Sequence, residues 1–113
     1  MGPKKLTKLG PEKKIQNEII EFLTLRQWFV MTTHGNIFQY GFPDLYATHY
    51  KHGTRWIEIK NPKAFSFTPA QMEFFPKLLA NGTRIWILTE ATEQEYKKLF
   101  LPCNCFEFML RKL

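Results

Sequence analysis

The chain predicts an α/β domain in which helices flank a mixed β-sheet, in the order α-β-β-β-α-β-α-β. Three observations predict it. Ile15, Ile19, Phe22 and Leu23 repeat at helical spacing. Several short runs are rich in aromatic and β-branched residues, as strands are. Two threonine-led capping signals, Thr68-x-x-Gln71 and Thr92-x-x-Glu95, open further helices between those runs.

The elements follow in order. Residues 1–11 read as a basic arm carrying Lys4, Lys5 and Lys8, and 12–113 as one domain. Pro11 suits a first helical turn, so the first helix starts there or at Glu12 and ends near Arg26 or Gln27. Trp28 to Thr33 reads as a strand, followed by a loop through Gly35 and Asn36. Gly41-Phe42-Pro43-Asp44 leads into a strand from Leu45, and a turn ending at Gly53 returns the chain as Arg55 to Lys60. Pro69 at the first turn starts the second helix, which runs to Ala80 or Asn81 before Gly82. Arg84 to Thr89 is a dense strand, and the third helix runs from the second cap to about Leu101, where Pro102 closes it. Phe106 to Leu110 reads as a last short strand.

Composition narrows the function. Sixteen Lys and Arg against ten Asp and Glu give +6, which favours a polyanionic partner. There is no run of about 18 apolar residues, so no membrane span is expected, and no apolar stretch of the secretory kind follows the basic start. Cys103 and Cys105 are too few for a structural zinc site and are expected to be reduced thiols of a cytoplasmic protein. The phosphate loop, the dinucleotide fingerprint and the Ser-His-Asp order are all missing, which argues against nucleotide cofactors and acyl transfer.

The chemistry concentrates in the middle of the chain. On a strand with period two, Glu58 and Lys60 face one way and Ile57 and Ile59 the other. The hairpin brings Asp44 toward Glu58 across the ladder. Two carboxylates placed together repel unless a cation lies between them. Oxygen donors suit a hard ion, Mg2+ or Mn2+, with the Ile59 backbone carbonyl as a further ligand. Lys60 would stabilise charge developing on phosphorus. Gln71 has two readings: a helix cap, or a group that orients Lys60, water or phosphate. Gln16 lies one turn after Glu12 on the same helix face and is read as a supporting or DNA-facing residue. His34 and Lys63 are candidate phosphate contacts, while His49 and His52 are too scattered for a metal site. Phe65 and Phe67 have three readings: a wedge, a dimer contact, or rings that pack down.

Gly41-Phe42-Pro43-Asp44, Trp56-Ile57-Glu58-Ile59-Lys60 and Gln71, with Glu12-x-x-Ile15-Gln16-x-x-Ile19 ahead of them, resemble the VRR-NUC family of virus-type replication-repair nucleases. That family has the restriction-endonuclease-like fold, with its Pro-Asp and Glu-x-Lys signature. The resemblance spans residues 12–90. It implies a divalent-metal-dependent, structure-selective endodeoxyribonuclease with Asp44 and Glu58 as metal-binding acids and Lys60 as catalytic lysine. It also implies that Gln71 and Glu12 are site residues, Glu12 reaching the site, and its metal, from the first helix. Short stand-alone viral members resemble homodimeric four-way (Holliday) junction resolvases, so branched DNA, a homodimer and the cytoplasm of a bacterial host are expected. The alternatives are a nickase, flap nuclease or exonuclease component that needs a partner, and a non-catalytic nucleic-acid-binding module. One departure is visible: residues 61–68 contain no glycine where family members often have one.

Overall fold

Every strand alternates between two differently filled faces, and that alternation organises the domain. A computed structural model describes residues 10–33 and 41–112. Its elements are α1 (Pro11–Thr24), β1 (Phe29–Thr32), β2 (Leu45–His49), β3 (Gly53–Ile59), α2 (Pro69–Ala80), β4 (Ile85–Leu88), α3 (Glu93–Tyr96), a 3₁₀ turn (Lys97–Phe100) and α4 (Cys105–Leu110). The four strands lie in the order β1-β2-β3-β4. The first three are antiparallel and β4 joins β3 in parallel, so α2 is the crossover between them.

On one face, Leu45, Ala47, Ile57, Ile59, Trp86 and Leu88 meet Ile19 and Leu23 of α1 in one apolar cluster. On the other, Ile85 and Ile87 pack with Phe75 of α2 and Cys105, Phe108 and Met109 of α4. The helices cover this second face over β3 and β4, while toward β1 Phe29 and Met31 of the same face are exposed. The β2–β3 turn closes with His49 opposite Gly53, whose φ of 80° is the left-handed conformation that three-residue hairpin loops require. No helix among the described residues is long and apolar enough to cross a membrane.

The mixed, helix-flanked sheet agrees with the sequence reading, and three local features correct it. Phe106–Leu110 is not a strand but lies in α4. Cys105, Phe108 and Met109 are buried at i, i+3 and i+4, a helical period that two-residue alternation of phenylalanines disguised. The free edge of β4 is satisfied by the Asn104 side chain, which accepts from Ile87 N at 2.6 Å and donates to Ile87 O at 3.1 Å. One amide thus stands where a fifth strand would have paired. The third helix is shorter than expected and tightens into the 3₁₀ turn. Leu101 is extended at φ −113° and ψ 169°, as a residue before proline prefers. The second capping box is only half formed: Thr92 accepts from Glu95 N, but the Glu95 carboxylate accepts from Thr89 N and Oγ1 instead. Phe65 and Phe67 pack against the α2–α4 cluster, Phe108 is buried in it, and Phe106 alone of the four is exposed.

Candidate active site

Strand register alone places the acids. Extending the β2–β3 pairing by one step sets Asp44 opposite Glu58, on the same face. Side chains then lock what the ladder begins. The Asp44 N–H donates to Glu58 Oε1 at 3.1 Å, and the Ile59 N–H donates to Asp44 Oδ2 at 2.8 Å. Both carboxylates are fully buried. From the β1 side, the Thr33 N–H donates to Asp44 O at 3.0 Å and its hydroxyl to Pro43 O, which fixes the Pro-Asp turn. Ahead of that turn sits Gly41, at φ 80°. A Cβ there would lie 2.4 Å from the Phe74 ring, so only glycine lets the turn rest against α2.

Lys60 leaves the end of β3 on the Glu58 side and is 2% exposed. Its ammonium donates to Ser66 O at 2.7 Å and Gln71 Oε1 at 3.0 Å, and pairs with Glu58 Oε2 at 3.2 Å. Those three acceptors match the three N–H donors of the ammonium. The Phe67 ring centroid lies 4.5 Å from the same nitrogen.

Gln71 joins the two readings that its sequence position left open. Its side chain accepts from Thr68 N at 3.1 Å while Thr68 Oγ1 accepts from Gln71 N, a full capping box at the start of α2. Its Nε2 also donates to Glu58 Oε2 at 2.8 Å. The cap of α2 and the polar site are therefore one hydrogen-bonded unit. The Ser66 carbonyl belongs to that unit and was not singled out from sequence; the signal was the short chain segment between Lys60 and the Thr68 cap. Phe67, one of whose readings was a ring that packs down, lies against the Lys60 ammonium.

Glu12 is half-buried. Its Oε2 accepts from Asn61 N at 3.3 Å, tying the first turn of α1 to the segment after Lys60. Gln16 is buried at 2% exposure, and its Oε1 has no hydrogen-bond partner among the described residues. Lys63 is exposed on a cleft of about 700 Å³ between α1 and the segments at Asn61 and Glu90; Glu18, Glu21 and Glu90 line that cleft too. Lys4, Lys5, Lys8 and His34 lie outside the described residues. Glu18 is exposed.

His49 and His52, scattered in sequence, stack at 4.4 Å between ring centroids at the opposite end of the sheet. His49 Nδ1 accepts from Lys51 N and its Nε2 donates to Arg26 O, so both ring nitrogens are engaged. Among the described residues no group of three or more His, Cys, Asp and Glu gathers as a metal cage. Cys105, buried behind the site, has its thiol pushed up to about 12 by burial first and by the Glu58 charge second.

One comparison bears on this arrangement. A solved structure described as a VRR_NUC domain is similar over 82% of this chain and 98% of its own, with a TM-score of 0.59 and 18% identity. At that identity the likeness shows the fold, a restriction-endonuclease-like α/β core. No family model matches the chain, and no curated protein matches it.

Proposed function

We propose that the chain is a divalent-metal-dependent, structure-selective DNA endonuclease that hydrolyses phosphodiester bonds and works on branched DNA as a homodimer. The observation that carries this reading is the convergence of Asp44, Glu58 and Lys60 at one end of the sheet, held by Gln71. Buried carboxylates and a buried ammonium are costly to fold around. A site that gathers them on a strand end, with their orientations fixed by backbone N–H groups, suits charge stabilisation better than scaffolding.

The donor set fits Mg2+ or Mn2+, because such ions are commonly held by one or two carboxylates with water completing the shell. Asp44 and Glu58 would hold the ion, with the Ile59 carbonyl between them and Glu12 approaching from α1. A bound ion would supply Lewis-acid stabilisation and a more acidic water. The chain's own groups do the rest. Lys60 places a positive charge where negative charge grows on the phosphoryl oxygens. Gln71 sets the direction of both Glu58 and Lys60. The backbone N–H groups of Asp44 and Ile59 keep the two carboxylates from turning away.

Lys4, Lys5 and Lys8 ahead of α1 would add phosphate contacts. Partner-dependent nicking, flap or exonuclease action remains the second reading for the same site. The test is cleavage of end-labelled four-way junctions, flaps and linear duplex with Mg2+, with Mn2+ and with chelator. Metal-dependent cutting of branched DNA that disappears in Asp44→Ala is expected. Equal activity in Asp44→Ala would remove this site from the chemistry, and binding without cleavage in either metal would leave a nucleic-acid-binding module.

A further inference from the structure

The face that carries Glu58 continues, toward β1, into an aromatic surface that the chemistry above does not use. Directly paired residues of a ladder project to the same side, so Met31, Tyr46 and Trp56 form one row across three strands. Phe29, two residues before Met31, shares that face. Phe42, from the turn before Asp44, stacks on Trp56 at 5.8 Å between centroids and 23° between planes. Tyr46 meets Trp56 edge-on at 5.0 Å. Trp56 packs in part against the α2–α4 cluster, but the helices stop short of the β1 end of the row, leaving Phe29 62% and Met31 52% exposed.

We propose that this face is a stacking platform for unpaired nucleobases, so that the substrate is branched DNA whose bases beside the cleaved phosphate are unpaired, as at an opened junction or a flap. The proposal rests on the nuclease reading for its second half only; stacking itself needs no chemistry. Three features choose the occupant. The surface is continuous with the reaction centre, since Trp56 and Glu58 are two residues apart on one face, about 7 Å. Its side chains are mostly flat rings, which accept any base on its π-face, whereas a paired duplex keeps its bases stacked inside and shows only edges and phosphates. The chain carries +6, which favours a polyanion, and in the cleft on the α1 side Glu18, Glu21 and Glu90 outnumber Lys63, so that cleft is the less favourable place for the strand.

Fluorescence titration in chelator tests the platform apart from cleavage. The probes are oligodeoxythymidylate and a duplex of equal length. Trp28 and Trp86 are buried with the α1-side cluster, so quenching by a stacked base reports Trp56. The single strand is expected to quench and to bind more tightly than the duplex. Phe29→Ala and Phe42→Ala, at exposed positions where folding is little affected, should each weaken it roughly 5- to 10-fold. Trp56→Phe should keep affinity and lose the quench. Unchanged affinity in both alanine variants overturns the platform, as does a duplex bound as tightly as the single strand. Light scattering supplies a third way to fail: a dimer that Phe29→Ala splits would assign the face to a second copy of the chain. A chain that binds the strand through these rings but never cleaves refutes the nuclease reading and leaves the platform standing.

Discussion

Gln71 serves two structures with one amide. Its oxygen accepts from the Thr68 N–H and the Lys60 ammonium, and its nitrogen donates to Glu58. In the proposed mechanism Lys60 is the group that meets the growing negative charge, its ammonium held in place by three oxygens at the end of β3. Lys60→Ala is expected to lower single-turnover cleavage by about 100- to 1,000-fold, the loss typical of a group that stabilises developing negative charge. The substitution also strips Glu58 of a buried cation, so circular dichroism and a melting curve must accompany the kinetics. Near-normal cleavage by folded protein would remove Lys60 from the mechanism. Cys105 makes a separate prediction. A thiol pushed up to about 12 in a sealed apolar cluster reacts slowly, because alkylation needs the thiolate. At pH 8, iodoacetamide should modify one thiol per native chain, at half-exposed Cys103, and two after denaturation. Peptide mapping that finds native Cys105 modified as fast as Cys103 would contradict the packing. Much of this scale was legible beforehand. Asp44, Glu58 and Lys60 are set by strand period and hairpin pairing, which a sequence displays. The double duty of Gln71 and the burial of Gln16 depend on side-chain geometry across elements, which spacing does not display.

At the scale of elements, the start of α2 couples folding to the site. Thr68 caps the helix, Pro69 fixes its first turn, and Gln71 returns the cap while holding Glu58. The helix even tolerates Pro76 in its interior, where a backbone N–H is missing. Thr68→Ala should cost about 1 kcal/mol of stability through the lost cap. It should also reduce cleavage at temperatures where the fold persists, because the Gln71 backbone N–H loses its acceptor and the amide its fixed origin. Denaturation midpoints and single-turnover rates, measured together, check both halves. A stability loss with wild-type turnover would show that Gln71 keeps its aim without the cap. The sequence signals were reliable where local chemistry decides an element: proline at the first turn, threonine at the cap, glycine at the hairpin. They failed at Phe106–Leu110, where alternating phenylalanines suggested a strand. What decided that segment was the edge of β4, already satisfied by Asn104, and an apolar hollow against Phe75 that a helical face fills.

For the whole molecule, size sets the last constraint. The radius of gyration is 13.4 Å and the longest extent 35 Å, so beside the proposed catalytic centre one chain offers little further surface. A four-way junction is two-fold symmetric, and paired incision needs a site on each of two opposing strands. A two-fold dimer meets that need with a second copy of the same surface, since the interface of such a dimer is self-complementary. Exposed Phe106 and Leu110 on α4 leave apolar surface beyond what the monomer covers, although Phe65, Phe67 and Phe108 are occupied internally. Light scattering at micromolar concentration should therefore give about twice the 13.5 kDa of one chain. The functional consequence is tested with a mixed dimer of wild type and Glu58→Ala. Each such dimer keeps one intact site, so it should nick junctions while seldom completing both cuts in one binding event. Wild type should complete them. A particle with the mass of one chain that cuts both strands in a single encounter would refute the dimer, because one site cannot reach two opposing phosphates without releasing the junction.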